Sequence, residues 1–338
     1  MYKTRRGITF FSSRPHHVHA AFAESVNADT YLFRFDGKTK KPFIELIKSP
    51  FMPKPDSDVF ICESPLYLFT VIPQKIFNPR LKVVLLATSP FRMYYDRQGP
   101  AGKYLLKKTL DYVDGVIAVS QYVADFYATL TDCPIKIAYP YANVEKYDGD
   151  YSEPGSKNIC FLGKMMPYKG IDILIEAFRL IRNEVPGSRL YLMGHFKDES
   201  LKISEIEGLE NIGNVDDPRL YFSHSSIYLH PARDEAFGVS IMEACAAGLI
   251  PIVSKNCGAA EILKIVSPEL VVNSLDPECF ARRAIEVMEW SPDKKLRVIS
   301  GLKEIARNFK KDMRIWEFKV SFADLMIEID ERRKLKQG

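Results

Sequence analysis

Short apolar runs alternate with longer segments of helical periodicity along nearly the whole chain. Each run has the length of one strand, and strands that alternate with helices form parallel sheets covered by helices on both faces. The alternation therefore predicts an α/β fold built from repeated strand–helix units.

The first half of the chain begins this pattern. Strands are predicted at Gly7–Phe11, Thr30–Phe35, Asp58–Cys62, Lys82–Leu86, Gly115–Val119 and Ile135–Ala138. Helices are predicted after His16, around Lys103–Tyr112 and at Gln121–Thr129. Together these elements make one α/β domain.

A turn-rich stretch at Asp148–Lys157 interrupts the pattern. Its Asp, Gly, Ser and Pro residues favour turns over regular elements. We therefore predict a linker here, with a first domain over residues 1–150 and a second over residues 151–313.

The pattern resumes in the second domain. Strands are predicted at Asn158–Leu162, Arg189–Met193, Ile227–His230 and Ile250–Val253. Helices are predicted at Tyr168–Val185, Pro218–Ser223, Val239–Ala247, Ala259–Ile265, Pro277–Trp290 and Pro292–Asn308. The last segment, Arg314–Lys336, spaces apolar residues by three and four, which predicts an amphipathic helix. Its predicted apolar face consists of Trp316, Val320, Ala323, Met326 and Ile327.

The charge balance limits the choice of partner. The chain has 47 basic and 43 acidic residues, and a net charge of +4 is too small for a surface that serves nucleic acid. The residues up to Glu145 carry 19 basic and 13 acidic side chains. That excess suits a phosphorylated ligand or acidic lipid headgroups, and it is also compatible with an ordinary solvated surface.

The cysteines show no paired spacing, which disfavours a disulfide framework or a zinc site and fits a reducing cytoplasm. The apolar run after Gly7 is too short for a membrane span or a signal peptide. Two Asp-x-Asp patterns, at Asp56 and at Asp148, lie in turn contexts where aspartate is common, so we predict no metal site.

The stretch from His230 to Glu261 is the most informative part of the sequence. It reads HPARDEAFGVSIMEACAAGLIPIVSKNCGAAE and passes from a strand end through a loop into a helix. Ligands bind at the carboxyl ends of parallel strands, where helix N-termini offer N–H groups to phosphate. Gly238 would allow close backbone approach, and Ser240 would cap the helix. Glu235 and Glu243 would repel phosphate, so we expect them to accept hydrogen bonds from sugar hydroxyls, as a nucleotide sugar requires.

A second signal lies at Phe161–Gly170, which reads FLGKMMPYKG. Lys164 and Lys169 stand on either side of a Pro-Tyr pair at the end of a predicted strand. Two ammonium groups there can hold a diphosphate and neutralise its charge as it leaves.

These two motifs resemble those of the retaining nucleotide-sugar glycosyltransferases with the GT-B fold, called group 1 or family 4. The family frame P-S-x-x-E-x-F-G-x-x-x-x-E-A-x-A-x-G-x-P-V-V is similar to PARDEAFGVSIMEACAAGLIPIV, and G-R-L-x-x-x-K-G is similar to GKMMPYKG. The resemblance covers Asn158 to Ile262. It implies two Rossmann-like domains facing a central cleft, with the terminal helix returning to the first domain. It also implies transfer of a sugar to an acceptor hydroxyl with retained configuration.

The resemblance also implies roles for individual residues. Glu235, Lys169 and Lys164 would act in the transfer, with the lysines on the donor diphosphate and Glu235 on the transferred sugar. Glu243 would bind the ribose hydroxyls. The implied donor-binding set is Gly163, Lys164, Lys169, Glu235, Ala236, Phe237, Gly238, Val239 and Glu243.

The first domain departs from the family. The loop after its first strand reads SSRPHHVH and lacks the usual glycine pair, and Thr88-Ser89-Pro90 stands where a histidine is common. The acceptor-side candidates are Ser13, Arg14, His16 and Ser89. The acceptor would be a glycan, a lipid-linked sugar or a small molecule.

A segment of the first domain suggests contact with a membrane. Lys103, Lys107 and Lys108 flank leucines at helical spacing, with Tyr94 and Tyr104 nearby. A basic amphipathic helix can lie on an anionic membrane, although an ordinary half-buried helix has the same pattern.

The sequence thus favours a cytoplasmic, metal-independent glycosyltransferase of glycan biosynthesis with no cofactor beyond its nucleotide-sugar donor. The alternative is a catalytically inactive nucleotide-sugar-binding homologue or scaffold protein, because the first domain lacks recognisable acceptor motifs. A nicotinamide-dependent dehydrogenase is disfavoured, since no G-x-G-x-x-G follows a predicted strand.

Overall fold

The computed structural model describes residues 7–13, 16–32, 54–148, 152–195 and 206–335. The predicted acceptor-side residue Arg14, the end of the predicted strand Thr30–Phe35 and part of the predicted linker lie outside the described residues. The chain divides into two compact units, Met1–Pro140 with Arg314–Gly338, and Tyr141–Met313.

The first unit is built on a parallel sheet in the order β2-β1-β3-β4-β5-β6. Its strands are β1 (Gly7–Ser12), β2 (Ala28–Leu32), β3 (Ser57–Cys62), β4 (Lys82–Ala87), β5 (Gly115–Ala118) and β6 (Ile135–Ile137). Its helices are α1 (His17–Ser25), α2 (Pro65–Phe77), α3 (Phe91–Asp96), α4 (Pro100–Leu110) and α5 (Gln121–Ala128).

The second unit contains another parallel sheet, in the order β12-β11-β10-β7-β8-β9. Its strands are β7 (Ile159–Leu162), β8 (Leu190–Met193), β9 (Leu209–Gly213), β10 (Ile227–His230), β11 (Ile250–Ser254) and β12 (Val271–Val272). Its helices are α6 (Ile171–Glu184), α7 (Arg219–Ser223), α8 (Val239–Ala246), α9 (Ala260–Val266), α10 (Pro277–Met288) and α11 (Pro292–Arg307), and the long helix α12 (Lys311–Leu335) follows.

The predicted α/β class with two parallel sheets is confirmed. The central strands β4, β5 and β10 are buried along almost their whole length, as expected when helices cover both faces of a sheet. Among the described residues, the sequence did not predict α2, α3, β9 and β12. Helix α2 contains Pro73 and is apolar on most sides, so it shows no clear helical period.

The boundary between the units lies earlier than predicted. Residues 141–148 belong to the second unit because their apolar side chains are buried there. The ring of Tyr147 lies 5.7 Å from that of Phe222, and the N–H of Ala142 donates to the carbonyl of Phe309 (2.9 Å). The chain therefore enters the second unit before the turn-rich stretch.

The predicted helix Tyr168–Val185 is interrupted near its start. Pro167–Lys169 forms a short 3₁₀ turn, Gly170 has φ +70°, and α6 begins only at Ile171. A left-handed residue cannot continue a right-handed helix, so the loop and the helix are separate elements.

The terminal helix α12 buries a different face from the predicted one. Trp316 and Ile327 are 65% and 58% exposed. The buried residues are Arg314, Phe318, Phe322, Leu325 and Ile329. This face packs on the first unit, where the ring of Phe318 stacks on Phe22 at 4.3 Å and the hydroxyl of Ser321 donates to the carbonyl of Ile137 (3.0 Å).

None of the helices in the described ranges combines the length and the apolar character that crossing a bilayer requires.

Candidate functional site

Two loops of the second unit meet because their strands are neighbours. Strands β7 and β10 pair in parallel, so the loops that follow them leave the same edge of the sheet. The carbonyl of Tyr168 accepts the N–H groups of Arg233 (2.8 Å) and Asp234 (3.2 Å). A Cβ atom at Gly170 would lie 2.0 Å from the carbonyl oxygen of Pro231. Glycine at 170 is therefore required by both its φ and this close approach.

A third loop holds the backbone of Glu235 from the other side. It follows β11, which pairs with β10. The N–H of Glu235 donates to the carbonyl of Asn256, and the carbonyl of Glu235 accepts the N–H of Gly258 (2.9 Å each). The N–H of Ala259 donates to the carbonyl of Phe237, also at 2.9 Å. Glu235 is thus fixed from both sides by the neighbouring loops.

Lys169 and Glu235 form an ion pair between the loops after β7 and β10. The ammonium of Lys169 donates to Oε2 of Glu235, and both side chains are mostly buried. Burial alone would raise the pKa of Glu235, but the charge of Lys169 and a hydrogen bond from His230 outweigh it and hold the pKa at about 2. Burial likewise opposes the ammonium, but Glu235 raises the pKa of Lys169. The two groups keep each other ionised.

His230 is a third member of this cluster, although its sequence context indicated only the end of a strand. Its Nε2 lies 3.3 Å from Oε2 of Glu235, and its side chain is fully buried. Burial lowers the pKa of His230. A histidine at the end of a buried strand, just before a carboxylate loop, was the available signal.

Helix α8 begins beside this cluster without a side-chain cap. Gly238 occupies the N-cap position with φ +95° and provides no side-chain oxygen. The prediction that Ser240 caps this helix is wrong, because the hydroxyl of Ser240 bonds to that of Tyr228 (2.8 Å). The first N–H groups of α8 therefore have no side-chain partner at the cap. Such a helix start can accept an anion.

Glu243 is buried within α8. Its Oε1 accepts the N–H of Asn143 (3.3 Å). Burial raises the pKa of Glu243, while the hydrogen bond from Asn143 opposes the change.

The remaining residues of the predicted donor-binding set differ in burial and in their contacts. Lys164 is exposed, and its ammonium forms no hydrogen bond or ion pair with any described residue. Gly163 donates its N–H to the carbonyl of Met193 (2.9 Å). Ala236 is buried and Val239 is half-buried, and the ring of Phe237 stacks on Phe309 at 5.3 Å.

The acceptor-side candidates of the first unit follow β1 and β4, the two strands that pair with β3 on either side. Ser13 follows β1 and accepts a hydrogen bond from the hydroxyl of Tyr67 (2.7 Å). His16 is exposed and caps α1, its Nδ1 accepting the N–H of Val18 (3.4 Å). Ser89 follows β4, and its carbonyl accepts the N–H of Phe91 (2.7 Å).

The first unit also contains a polar cluster that no sequence motif predicted. Glu63 follows β3, and its carboxylate accepts the hydroxyl of Ser12 at Oε2 while Oε1 lies 2.5 Å from Nδ1 of His19. Both His19 and Glu63 are mostly buried. Their separation of 44 residues explains why no local pattern indicated the contact.

The comparisons with known proteins agree with the motifs. Residues 144–304 match the family Glycosyl transferases group 1. The match lies within the second unit and covers just under half of the chain. An uncharacterized glycosyltransferase of Haemophilus influenzae is 32% identical over 108 residues, which cover 30% of each chain. The human GDP-Man:Man(3)GlcNAc(2)-PP-Dol alpha-1,2-mannosyltransferase is 26% identical over 48% of this chain and 36% of its own length. The chain thus matches about a third of the length of these relatives.

Solved structures identify the fold. Sucrose-phosphate synthase from Thermosynechococcus elongatus has a TM-score of 0.77 at 15% identity, over 96% of this chain and 100% of its own. Anabaena HepE in complex with UDP and glucose has a TM-score of 0.71 at 15% identity, over 94% and 100%. The chain therefore has the GT-B fold.

The ion pair should contribute to stability in a pH-dependent way. The pKa of Glu235 lies below its ordinary value of 4.5, so the stabilisation is complete above pH 4.5 and is lost as the pH falls towards 2. We expect Lys169→Met to lower the free energy of unfolding by about 3 kcal/mol at pH 7, because it leaves a buried carboxylate unpaired. The loss should shrink near pH 3, where that carboxyl can take up a proton.

Urea denaturation at both pH values measures the effect. Lys164→Met is the matched control, since Lys164 is exposed, and should change stability by less than about 0.5 kcal/mol. Equal losses in the two variants, or a loss in Lys169→Met that does not depend on pH, would contradict the assignment.

Proposed function

We propose that this chain is a glycosyltransferase that moves a sugar from a nucleotide-diphosphate sugar to an acceptor hydroxyl with retained configuration. The observation that carries the proposal is the Lys169–Glu235 pair beside the uncapped start of α8. It combines a cation and free N–H groups, which suit a diphosphate, with a carboxylate that suits hydroxyls.

The donor diphosphate would bind to the positive charge that Lys169 and the start of α8 already provide. An ammonium group has three N–H donors, and Glu235 takes one from Lys169. The others, with the N–H groups at Gly238 and Val239, would bind the phosphates. This charge would stabilise the diphosphate as the bond to the sugar breaks. We therefore also propose that transfer proceeds without a metal ion.

The carboxylates would bind the hydroxyls of the donor. Glu235 stays ionised because of Lys169, so it would accept hydrogen bonds from the transferred sugar. Glu243, which Asn143 contacts through a hydrogen bond from its N–H, would accept those of the ribose. Both glutamates then act in binding, and catalysis rests on positioning and on stabilisation of the leaving group.

The printed names of similar proteins support a nucleotide-sugar donor. The human mannosyltransferase is named for GDP-Man, and HepE was solved with UDP-glucose as well as with UDP and glucose. Because these names differ in both base and sugar, the donor of this chain is proposed only as a nucleotide-diphosphate sugar.

The first unit would bind the acceptor. Ser12, Glu63 and His19 form a hydrogen-bonded cluster at the carboxyl ends of β1 and β3, where ligands bind in open parallel sheets. A carboxylate and an imidazole there suit a hydroxyl group of a glycan, a lipid-linked sugar or a small molecule.

A thermal-shift panel tests the donor proposal. The ligands are UDP, GDP and ADP, and UDP-glucose, GDP-mannose and ADP-glucose. We expect one nucleotide and its sugar to raise Tm, because a ligand at a hundred times its Kd adds about 2.7 kcal/mol of stability. Lys169→Ala should abolish the shift, whereas Lys294→Ala, at a half-buried lysine paired with Glu269, should retain it.

A panel in which no ligand raises Tm would contradict the donor proposal. Binding without slow hydrolysis of the sugar donor would instead favour the inactive homologue as the function of the chain.

We also propose that helices α3 and α4 contact an anionic membrane. Tyr104 and Leu105 are 66% and 55% exposed on α4, and Tyr94 is exposed on α3. The cations around them are Arg92, Arg97, Lys103, Lys107 and Lys108, against the acids Asp96 and Asp111. Exposed aromatic and apolar side chains among cations suit an interface with acidic lipids.

Vesicle sedimentation tests this contact. We expect binding to phosphatidylcholine vesicles with 30% phosphatidylglycerol and not to phosphatidylcholine alone. Lys107→Gln should weaken binding about fivefold, since one cation near the surface contributes about 1 kcal/mol. Leu105→Ser should weaken it too, and Leu296→Ser, at an equally exposed leucine of α11, should not. Equal effects of the two leucine changes would contradict the proposal.

A further inference from the structure

His230 ends β10 in fully buried surroundings between aromatic rings. Its ring lies 5.3 Å from that of Phe161 and 6.1 Å from that of Tyr228, with interplanar angles of 22° and 12°. Its polar atoms therefore depend on a small number of neighbours. Nε2 faces Oε2 of Glu235 at 3.3 Å, and Nδ1 is buried without a hydrogen-bond partner among the described residues.

The protonation state of His230 follows from these contacts. Burial lowers its pKa, and although the Glu235 carboxylate opposes the change, the Lys169 ammonium adds to it. The ring is thus neutral at pH 7 and has one N–H. Because a carboxylate only accepts, that proton lies on Nε2 and is donated to Glu235. Nδ1 then carries a lone pair with no donor.

This arrangement gives the two carboxylate oxygens of Glu235 different hydrogen-bond partners. The ammonium of Lys169 and Nε2 of His230 both bond to Oε2. Within the described parts of the chain, Oε1 forms no hydrogen bond. Oε2 is therefore held by two donors, and Oε1 can accept a hydrogen bond from another group.

Stability alone does not account for a histidine at this position. A buried nitrogen without a partner costs about 1–3 kcal/mol. A leucine or phenylalanine between Phe161 and Tyr228 would avoid that cost. Residues that lower stability in this way are typical of functional sites.

We propose that His230 is a positioning residue for the donor sugar. It fixes the Glu235 carboxylate through Oε2, so that Oε1 accepts a hydroxyl of the transferred sugar. The inference rests on the proposed function, and it assigns His230 no contact with the substrate. Because Lys169 and His230 both hold Oε2, rotation of the carboxylate about its Cγ–Cδ bond is more restricted than it would be with Lys169 alone.

Calorimetric titration of His230 variants tests the inference. The probes are UDP, GDP, UDP-glucose and GDP-mannose. We expect His230→Leu to raise the Kd of the nucleotide sugar tenfold or more, to change that of the matching diphosphate less than twofold, and to change Tm only slightly, because the lost hydrogen bond to Glu235 offsets the removal of the unpaired Nδ1. His230→Gln should recover most of the sugar affinity, because its side-chain amide can donate where Nε2 does. His224→Leu, at an exposed histidine of the same unit, should change none of these values.

The same measurements distinguish a structural role of His230 from the proposed positioning role. A fall in Tm with equal weakening of diphosphate and sugar would mean a structural role and would overturn the inference. Unchanged affinity for the sugar would do the same. If the wild-type protein binds neither these four probes nor ADP and ADP-glucose, the proposed function fails instead.

Proton NMR of the ligand-free protein then tests the positioning contact. We expect a downfield imidazole N–H resonance that is absent in His230→Gln and shifts upfield in Glu235→Gln. A resonance unaffected by Glu235→Gln would overturn the inference without any donor.

Discussion

The ion pair between Lys169 and Glu235 is the interaction on which the candidate site depends. Neither group is stable alone in its mostly buried position, because burial disfavours both charges. Each supplies the counter-charge of the other. The pair also joins the loops after β7 and β10. The same contact therefore stabilises the local fold of the second unit and sets the charge of the site.

Backbone geometry brings these loops close enough for the pair to form. Gly170 takes a left-handed conformation against the carbonyl of Pro231, and Gly238 does so at the start of α8. A side chain at Gly170 would force the two loops apart. At Gly238 it would strain the turn that leaves the helix N-terminus uncapped. Backbone geometry therefore favours glycine at both motif positions, independently of any role in ligand binding.

The sequence predicted those features that depend on local pattern. Strand β10 was placed at Ile227–His230, as observed, because an apolar run there ends in a polar loop. Glu235 and Lys169 were identified from motifs, and the adjacency of parallel strands brings them together. Features that depend on packing partners were not predictable. Helix α12 has apolar residues on two faces, and the contact of Phe318 with Phe22 decides which one is buried. The Glu63–His19 contact likewise joins residues distant in sequence.

The central claim is that Glu235 binds the sugar while the diphosphate is held by other groups. The most direct measurement is the Kd of the nucleoside diphosphate and of its sugar for wild type and Glu235→Gln. We expect the variant to weaken binding of the sugar at least tenfold more than binding of the diphosphate, whose Kd also changes because Lys169 loses its counter-charge. Equal changes in both constants, or none in either, would contradict it.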